Sequence, residues 1–293
     1  MSRGVVLSVS ASVLFGVMYY LTRFLAPLSG EQVFGWRMLL TFPCVTLFML
    51  YSGDWARARA LAGRARRRPA LMLGLLASSA LIAVQLWLFL WAPLHGRGLQ
   101  VSLGYFLLPL TMILTGRLLY GERLSRLQAL AACCAAAGVA HAFLQAGHLS
   151  WETLLVALGY PVYFALRRRL ESDHLGGLWF DMVLMAPVAL GFVLAGGTMG
   201  GVFAARPALY LLVPLLGLVS ASALVCYLLA SRALPFSLFG LLGYVEPVLL
   251  VGAALAMGEV IAPEEWFTYL PIWLAVALLV LEGARHLRAG RRA

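Results

Sequence analysis

Stretches of about twenty predominantly apolar residues, the length a helix needs to cross the hydrocarbon core of a bilayer, follow one another through this chain with only short connections. Segmented on that length, the sequence offers ten of them, at roughly 4–25, 32–51, 70–92, 100–120, 126–146, 150–167, 176–196, 207–230, 236–258 and 265–285. No room is left for a soluble domain. Composition agrees: 62% of the 293 residues are hydrophobic and 12% charged, against about 45–50% and 25% in soluble domains. The expected fold is therefore an all-α integral membrane protein with ten transmembrane helices. The first segment, within "MSRGVVLSVSASVLFG", is too long and wrongly flanked for a cleaved signal and is read as a retained helix.

All 22 basic residues are arginine, and the formal charge is +10. That charge is a topology signal and does not point to nucleic acid, because the arginines gather in alternate loops. Arg57, Arg59, Arg64, Arg66, Arg67, Arg68, Arg123, Arg126, Arg167, Arg168, Arg169, Arg232, Arg285, Arg288, Arg291 and Arg292 fall on one side. Only Arg97 and Arg206 fall in loops on the other. The positive-inside rule places the first set, and both termini, on the cytoplasmic side of a multi-pass protein. The stretch "DWARARALAGRARRRP" has the makings of a short basic amphipathic helix on the inner leaflet. Cys44, Cys133, Cys134 and Cys226 lie within spans, where cysteine acts as a small apolar residue, so neither a disulfide nor a metal is expected.

Ten spans with alternating basic loops invite a search for two halves. Sliding the sequence by 144 residues lays "FGWRMLLTFP" on "LWFDMVLMAP", matching Met38 with Met182, Leu40 with Leu184 and Pro43 with Pro187, and placing Arg37 on Asp181. The same shift pairs Leu14 with Leu158, Tyr19 with Tyr163 and Arg23 with Arg167. A shift of 138 lays Pro109 on Pro247, and both of those helices end in Gly-Glu, at Gly121-Glu122 and Gly258-Glu259, after a slip of one residue. The expected domains are two five-helix repeats, 1–147 and 148–293. Five is odd, so the second repeat enters the membrane inverted, an architecture associated with alternating access.

An ion within a span is costly, roughly 2.5–3.5 kcal/mol on insertion scales, and should face the bundle interior with a partner. Arg37 is such an ion, and Glu246, near mid-membrane and directly before Pro247, is its expected partner. Asp181 has Arg167 or Arg168 as a neighbouring counter-ion. The polar cavity expected around these charges draws on Tyr19, Tyr20, Gln85, Trp91, Tyr105, Tyr163, Tyr227 and Tyr244 in addition to Arg37, Asp181 and Glu246, because aromatic rings with hydroxyls and a buried amide suit a small amphipathic ligand. Each has a blander reading: Arg37 as a helix tie, the aromatics as packing, Asp181 as half of a structural pair or gate. Glu122 and Glu259 read as caps or interfacial contacts.

The ten segments, the repeat, "SLGYFLLPLTMILTGRLLYGERL" and "LGYVEPVLLVGAALAMGE" together resemble the drug/metabolite transporter superfamily, its EamA family and, within that, the RarD-type permeases. "FLWA" at Phe89–Ala92 and the arginine of "FGWRM" carry the likeness further. The chain departs from the RarD pattern at Gln85-Leu86, where an Asn-Trp pair is usual, at Gln100 in place of a glutamate, and at Leu108 in place of an asparagine. What the resemblance implies is an inner-membrane carrier of small metabolites, commonly an exporter, with the fifth and tenth helices peripheral and the cavity among the other eight.

The function expected is thus a secondary transporter, exporting small metabolites such as amino acids or amphipathic drug-like molecules by alternating access. The chain carries no nucleotide-binding loop. Its partners would be a small-molecule substrate and the lipid bilayer, with proton coupling and a homodimer as options; no cofactor is expected. The rival is an intramembrane enzyme. His141, the one histidine clearly inside a span, has no acidic residue or second histidine at i±3 or i±4 to make a catalytic or metal site. A membrane sensor that binds substrate without transporting it is the third reading.

Overall fold

The computed structural model describes residues 2–95, 97–147, 150–195, 199–249 and 263–290, all helical or in short connections. Its helices are α1 (Ser2–Thr22), α2 (Gly30–Ser52), α3 (Trp55–Arg67), α4 (Pro69–Leu94), α5 (Gly98–Tyr120), α6 (Arg126–Ala146), α7 (Trp151–Arg169), α8 (Leu175–Ala195), α9 (Met199–Ala205), α10 (Leu209–Ala233), α11 (Phe236–Leu242), α12 (245–249) and α13 (Trp266–Gly290). Among the described residues, eight helices are long and apolar enough to cross a membrane: α1, α2, α4, α5, α6, α8, α10 and α13. Two of the ten expected segments fall outside that set. Glu152 and the run Arg167–Arg169 charge both ends of α7. The ninth segment is interrupted: α11 ends at Leu242, Gly243 and Tyr244 form a turn, and helix resumes at 245. Pro247 favours a break at this place, since it offers no N–H and its ring collides with the carbonyl four residues back, at Gly243. The rest of that segment, including Gly258 and Glu259, lies outside the described residues.

The chain forms two compact units, each drawn from both sequence halves. One comprises 17–98 and 162–228. Here α2 packs along α8, and α3 lies against α8 and α4. The basic segment is amphipathic as read: Ala58, Leu61 and Ala65, one helical face at i, i+3 and i+7, are buried, and Leu61 and Ala65 share a core with Leu71 and Leu75. Trp55 meets Trp179 edge-on at 5.1 Å, and Trp179 Nε1 donates to Thr46 Oγ1 at 2.9 Å. Ser29 and Gln32 form a capping box that starts α2, satisfying two of its otherwise orphan amides.

The other unit comprises 1–16, 99–161 and 229–293. In it α6 packs along α13. His141 hydrogen-bonds Thr268 at 3.0 Å, and Glu282 accepts from Ser125 Oγ at 2.6 Å, beside the capping box of α6. Against α5, α7 contributes Ala157, whose carbonyl accepts from Thr111, and Val156, packed where Gly104 has no side chain. Close contact between helices at small residues is the usual device where lipid removes the hydrophobic drive for helix pairing.

Candidate functional site

Buried polar groups gather at separate places in the unit of residues 17–98 and 162–228. At one of them is Asp181 on α8, wholly buried. Its Oδ2 accepts from the Tyr163 hydroxyl at 2.8 Å and from Arg167 Nη1, and its Oδ1 accepts from Ser78 Oγ at 3.5 Å. Arg167 is 1% exposed, donates from Nη1 to the Tyr163 hydroxyl at 3.0 Å and from Nη2 to the His174 carbonyl at 3.1 Å. Tyr163 and Arg167 occur four residues apart on α7, so helical geometry puts them on one face. Gly177 completes the enclosure, for a Cβ there would lie 2.6 Å from Arg167 Nη2. The counter-ion expected for Asp181 was Arg167 or Arg168, and it is Arg167.

Arg37 on α2 is 2% exposed, and its Nε donates to Ser220 Oγ on α10 at 2.9 Å. One turn further along α2, Thr41 Oγ1 donates to the Gly217 carbonyl at 3.5 Å, and Gly217 lets α10 close onto Leu40. The arginine therefore points inward, as a span-embedded charge must. Sequence reasoning missed Ser220 as its partner, and no local pattern marked it.

Gln85 is wholly buried on α4, two turns from Ser78 on the same face. Trp91 is half-buried and packs between Trp87, at 5.0 Å, and His95, at 4.3 Å. Tyr227, also half-buried, packs on Phe164 at 5.7 Å. Tyr19 and Tyr20 are each 44% exposed, Tyr19 edge-on to Phe89 at 6.2 Å. The remaining candidates belong to the other unit. There the Tyr105 hydroxyl lies 3.4 Å from that of Tyr160, the buried Tyr244 hydroxyl donates to the Phe106 carbonyl at 2.9 Å, and Glu246 is half-buried at the start of α12. Of the predicted site residues, the structure thus gathers Tyr163 and Asp181 into one hydrogen-bonded cluster.

Asp181 is not alone as an enclosed acid: Glu152 is wholly buried and Glu282 only 7% exposed. Glu152 stands in the first turn of α7, where distance along the span reads as surface, and Glu282 lies well inside α13, yet packed neighbours enclose both.

Glu122 is a cap, though of a helix distant in sequence. Gly121, at φ 63° in the left-handed region that glycine tolerates, turns the chain at the end of α5. Glu122 then folds back, and its two carboxylate oxygens accept from the backbone amides of Phe236 and Ser237, each at 2.7 Å. These are first-turn amides of α11 that no intrahelical carbonyl can satisfy. Glu122→Ala should therefore lower stability by about 1–3 kcal/mol, the cost of orphaning such donors. Glu122→Gln, which keeps an acceptor oxygen, should lose less. Thermal melting of the purified protein checks the order, and equal melting of all three proteins would remove the cap from the account.

No family model matches the chain. It is 45% identical to the chloramphenicol-sensitive protein RarD of Pseudomonas aeruginosa, over 99% of this chain and 97% of that one. An uncharacterized transporter of Pasteurella multocida is 41% identical, over 98% and 99% of the two chains. Protein RarD of Streptomyces exfoliatus is 31% identical, over 91% and 84%. The crystal structure of a protein 16% identical in sequence shares the fold at a TM-score of 0.68, covering 96% of this chain and 98% of that one. Relatives named as transporters set aside the intramembrane-enzyme reading. With eight apolar helices of spanning length and a shared sequence from end to end, this chain belongs to the RarD-type family of multi-pass membrane transporters.

Proposed function

We propose that the protein is a secondary transporter of ten spans, both termini cytoplasmic, that exports small zwitterionic or amphipathic metabolites across the inner membrane by alternating access. The observation that carries this reading is the pair of buried charged sites, Arg37 with Ser220 and Arg167 with Asp181 and Tyr163, inside helices otherwise built for lipid. Ions enclosed in spans are costly to insert and mark pathways for polar cargo. The internal repeat supports the same view. Tyr19, Arg23 and Arg37 of the first half align with Tyr163, Arg167 and Asp181 of the second, and the compact units each combine helices from the two halves. A carrier made of inverted repeats exposes equivalent positions to opposite sides in turn.

Reconstituted vesicles test the reading. Zwitterionic and aromatic amino acids should move across the membrane, faster under an imposed proton gradient. A screen in which polyanions alone shift the melting temperature would contradict the substrate class, and binding without flux would favour the sensor. Glu246, before the helix-breaking Pro247, is the carboxylate we assign to coupling. Glu246→Gln keeps the shape and removes the titration, so it should abolish the gradient's effect on flux while melting like the parent protein. If the variant transports across pH 5 to 8 as the parent does, Glu246 belongs to packing.

A further inference from the structure

Where α3 ends against the α7–α8 turn there is an open pocket of about 340 Å³, lined by Arg64, Arg68, Ala70, Leu71, Arg169, Leu170 and Glu171. The single carboxylate on its wall is already engaged. Arg64 Nη2 lies 3.1 Å from Glu171 Oε2 and donates to the Leu170 carbonyl at 3.3 Å. Arg68 and Arg169 are exposed, and among the described residues their guanidinium groups enter no ion pair or hydrogen bond. Two free cations and a third shared one thus converge on one opening. Such a concentration of like charge is unfavourable unless an anion joins it.

The floor of the pocket is apolar. Leu71 belongs to the core of Leu61, Ala65 and Leu75, and Leu170 packs against it, filling the space left by Gly74. Glu171 holds the turn at φ 50°, a left-handed backbone that a non-glycine residue adopts at some cost. The pocket also lies at a particular level, because the apolar run of α4 begins at Pro69, beside its rim. Past it on α4, Leu73 and Leu76 are 67% and 44% exposed. Guanidinium groups at the polar end of a span, continuous with an exposed apolar strip, match a molecule with a phosphate at one end and hydrocarbon at the other. We propose that this pocket binds the headgroup phosphate of an anionic phospholipid. The lipid clamps α3 to the turn that follows Arg167.

The protein in neutral detergent should gain about 3 °C or more in melting temperature on adding phosphatidylglycerol, and nothing on adding phosphatidylcholine or inorganic phosphate. Arg68→Gln with Arg169→Gln should lose most of that gain while melting like the parent without lipid, since both side chains are exposed. Arg59→Gln with Arg66→Gln removes two charges from α3 outside the pocket and should keep the gain. Arg68→Lys with Arg169→Lys, which keeps the charge without the planar fork, should retain more of it than the glutamine pair does. The proposal is overturned if phosphatidylglycerol leaves the parent unchanged, if the Arg59 and Arg66 pair matters as much as the pocket pair, or if lysine does no better than glutamine. A full shift from inorganic phosphate would make this a site for a soluble anion and overturn the lipid assignment.

Discussion

Arg167→Ala should be the most damaging single side-chain truncation in the polar interior. It leaves the Asp181 carboxylate wholly buried with only the Tyr163 and Ser78 hydroxyls for company, and stranding one partner of a buried ion pair costs about 3–5 kcal/mol. Against the usual margin of about 5–15 kcal/mol, much of the protein's stability is lost, and melting in detergent should show it directly. The double variant, Arg167→Met with Asp181→Asn, should recover most of the loss, because an apolar or neutral replacement of both partners is often well tolerated. Melting of Arg167→Ala within error of the parent would mean that the pair does not hold α7 to α8. If the double variant folds but no longer transports, the pair does more than stabilise the fold.

A comparable effect is expected at Gly35. A Cβ there would lie 2.6 Å from the Ala189 carbonyl oxygen and 2.7 Å from Val193 Cγ2. A backbone carbonyl inside a helix cannot move away alone, so α8 must shift as a body. Gly35→Ala should cost about 1–3 kcal/mol by overpacking, and Gly35→Leu should prevent α2 and α8 from closing, leaving no monodisperse protein to purify. Gly16 supplies the contrast. A Cβ there meets nothing within 4 Å, so Gly16→Ala should gain up to about 1 kcal/mol of helix propensity. If the two alanine variants melt alike, the close approach at Gly35 is not limiting.

Much of the fold is legible in the sequence because the bilayer imposes a length. The apolar runs locate α2, α4, α5, α6, α8, α10 and α13 to within a few residues. α9 escapes that reading, for seven residues between spans carry no length signal. The break in the ninth segment is half legible: Pro247 announces it, but a proline inside α5, Pro109, leaves its helix continuous. Which outcome follows depends on packing that no local pattern records. In the site, charge is informative and neutral polarity is not. Arg37 and Asp181 had to be buried with partners once they lay in spans, and Arg167 was within reach of Asp181 by spacing alone. Ser220 was not legible, since a serine suits any face of a membrane helix. Tyr19 and Tyr20 show the same limit from the other side: their exposure depends on how α1 is rotated, and an aromatic residue is at home in either setting. Glu122 could be recognised as ending α5, but its acceptor role depends on amides 114 and 115 residues further on.

The bond from Arg37 to Ser220 spans 183 positions of the chain, and this has a consequence for the making of the protein. A ribosome adding about 5–20 residues per second delivers α2 to the membrane roughly 10–40 s before it delivers the serine that α2's arginine will bind. During that interval the nascent α2 carries an ion whose eventual partner does not yet exist. The compact unit around it cannot close until α10 arrives, and the other unit waits for α13. Membrane insertion therefore precedes assembly by a long margin, and early helices must be held unassembled, by snorkelling, by water or by the insertion machinery. Substitutions near Arg37 that leave the mature transporter's melting unchanged can still lower its yield.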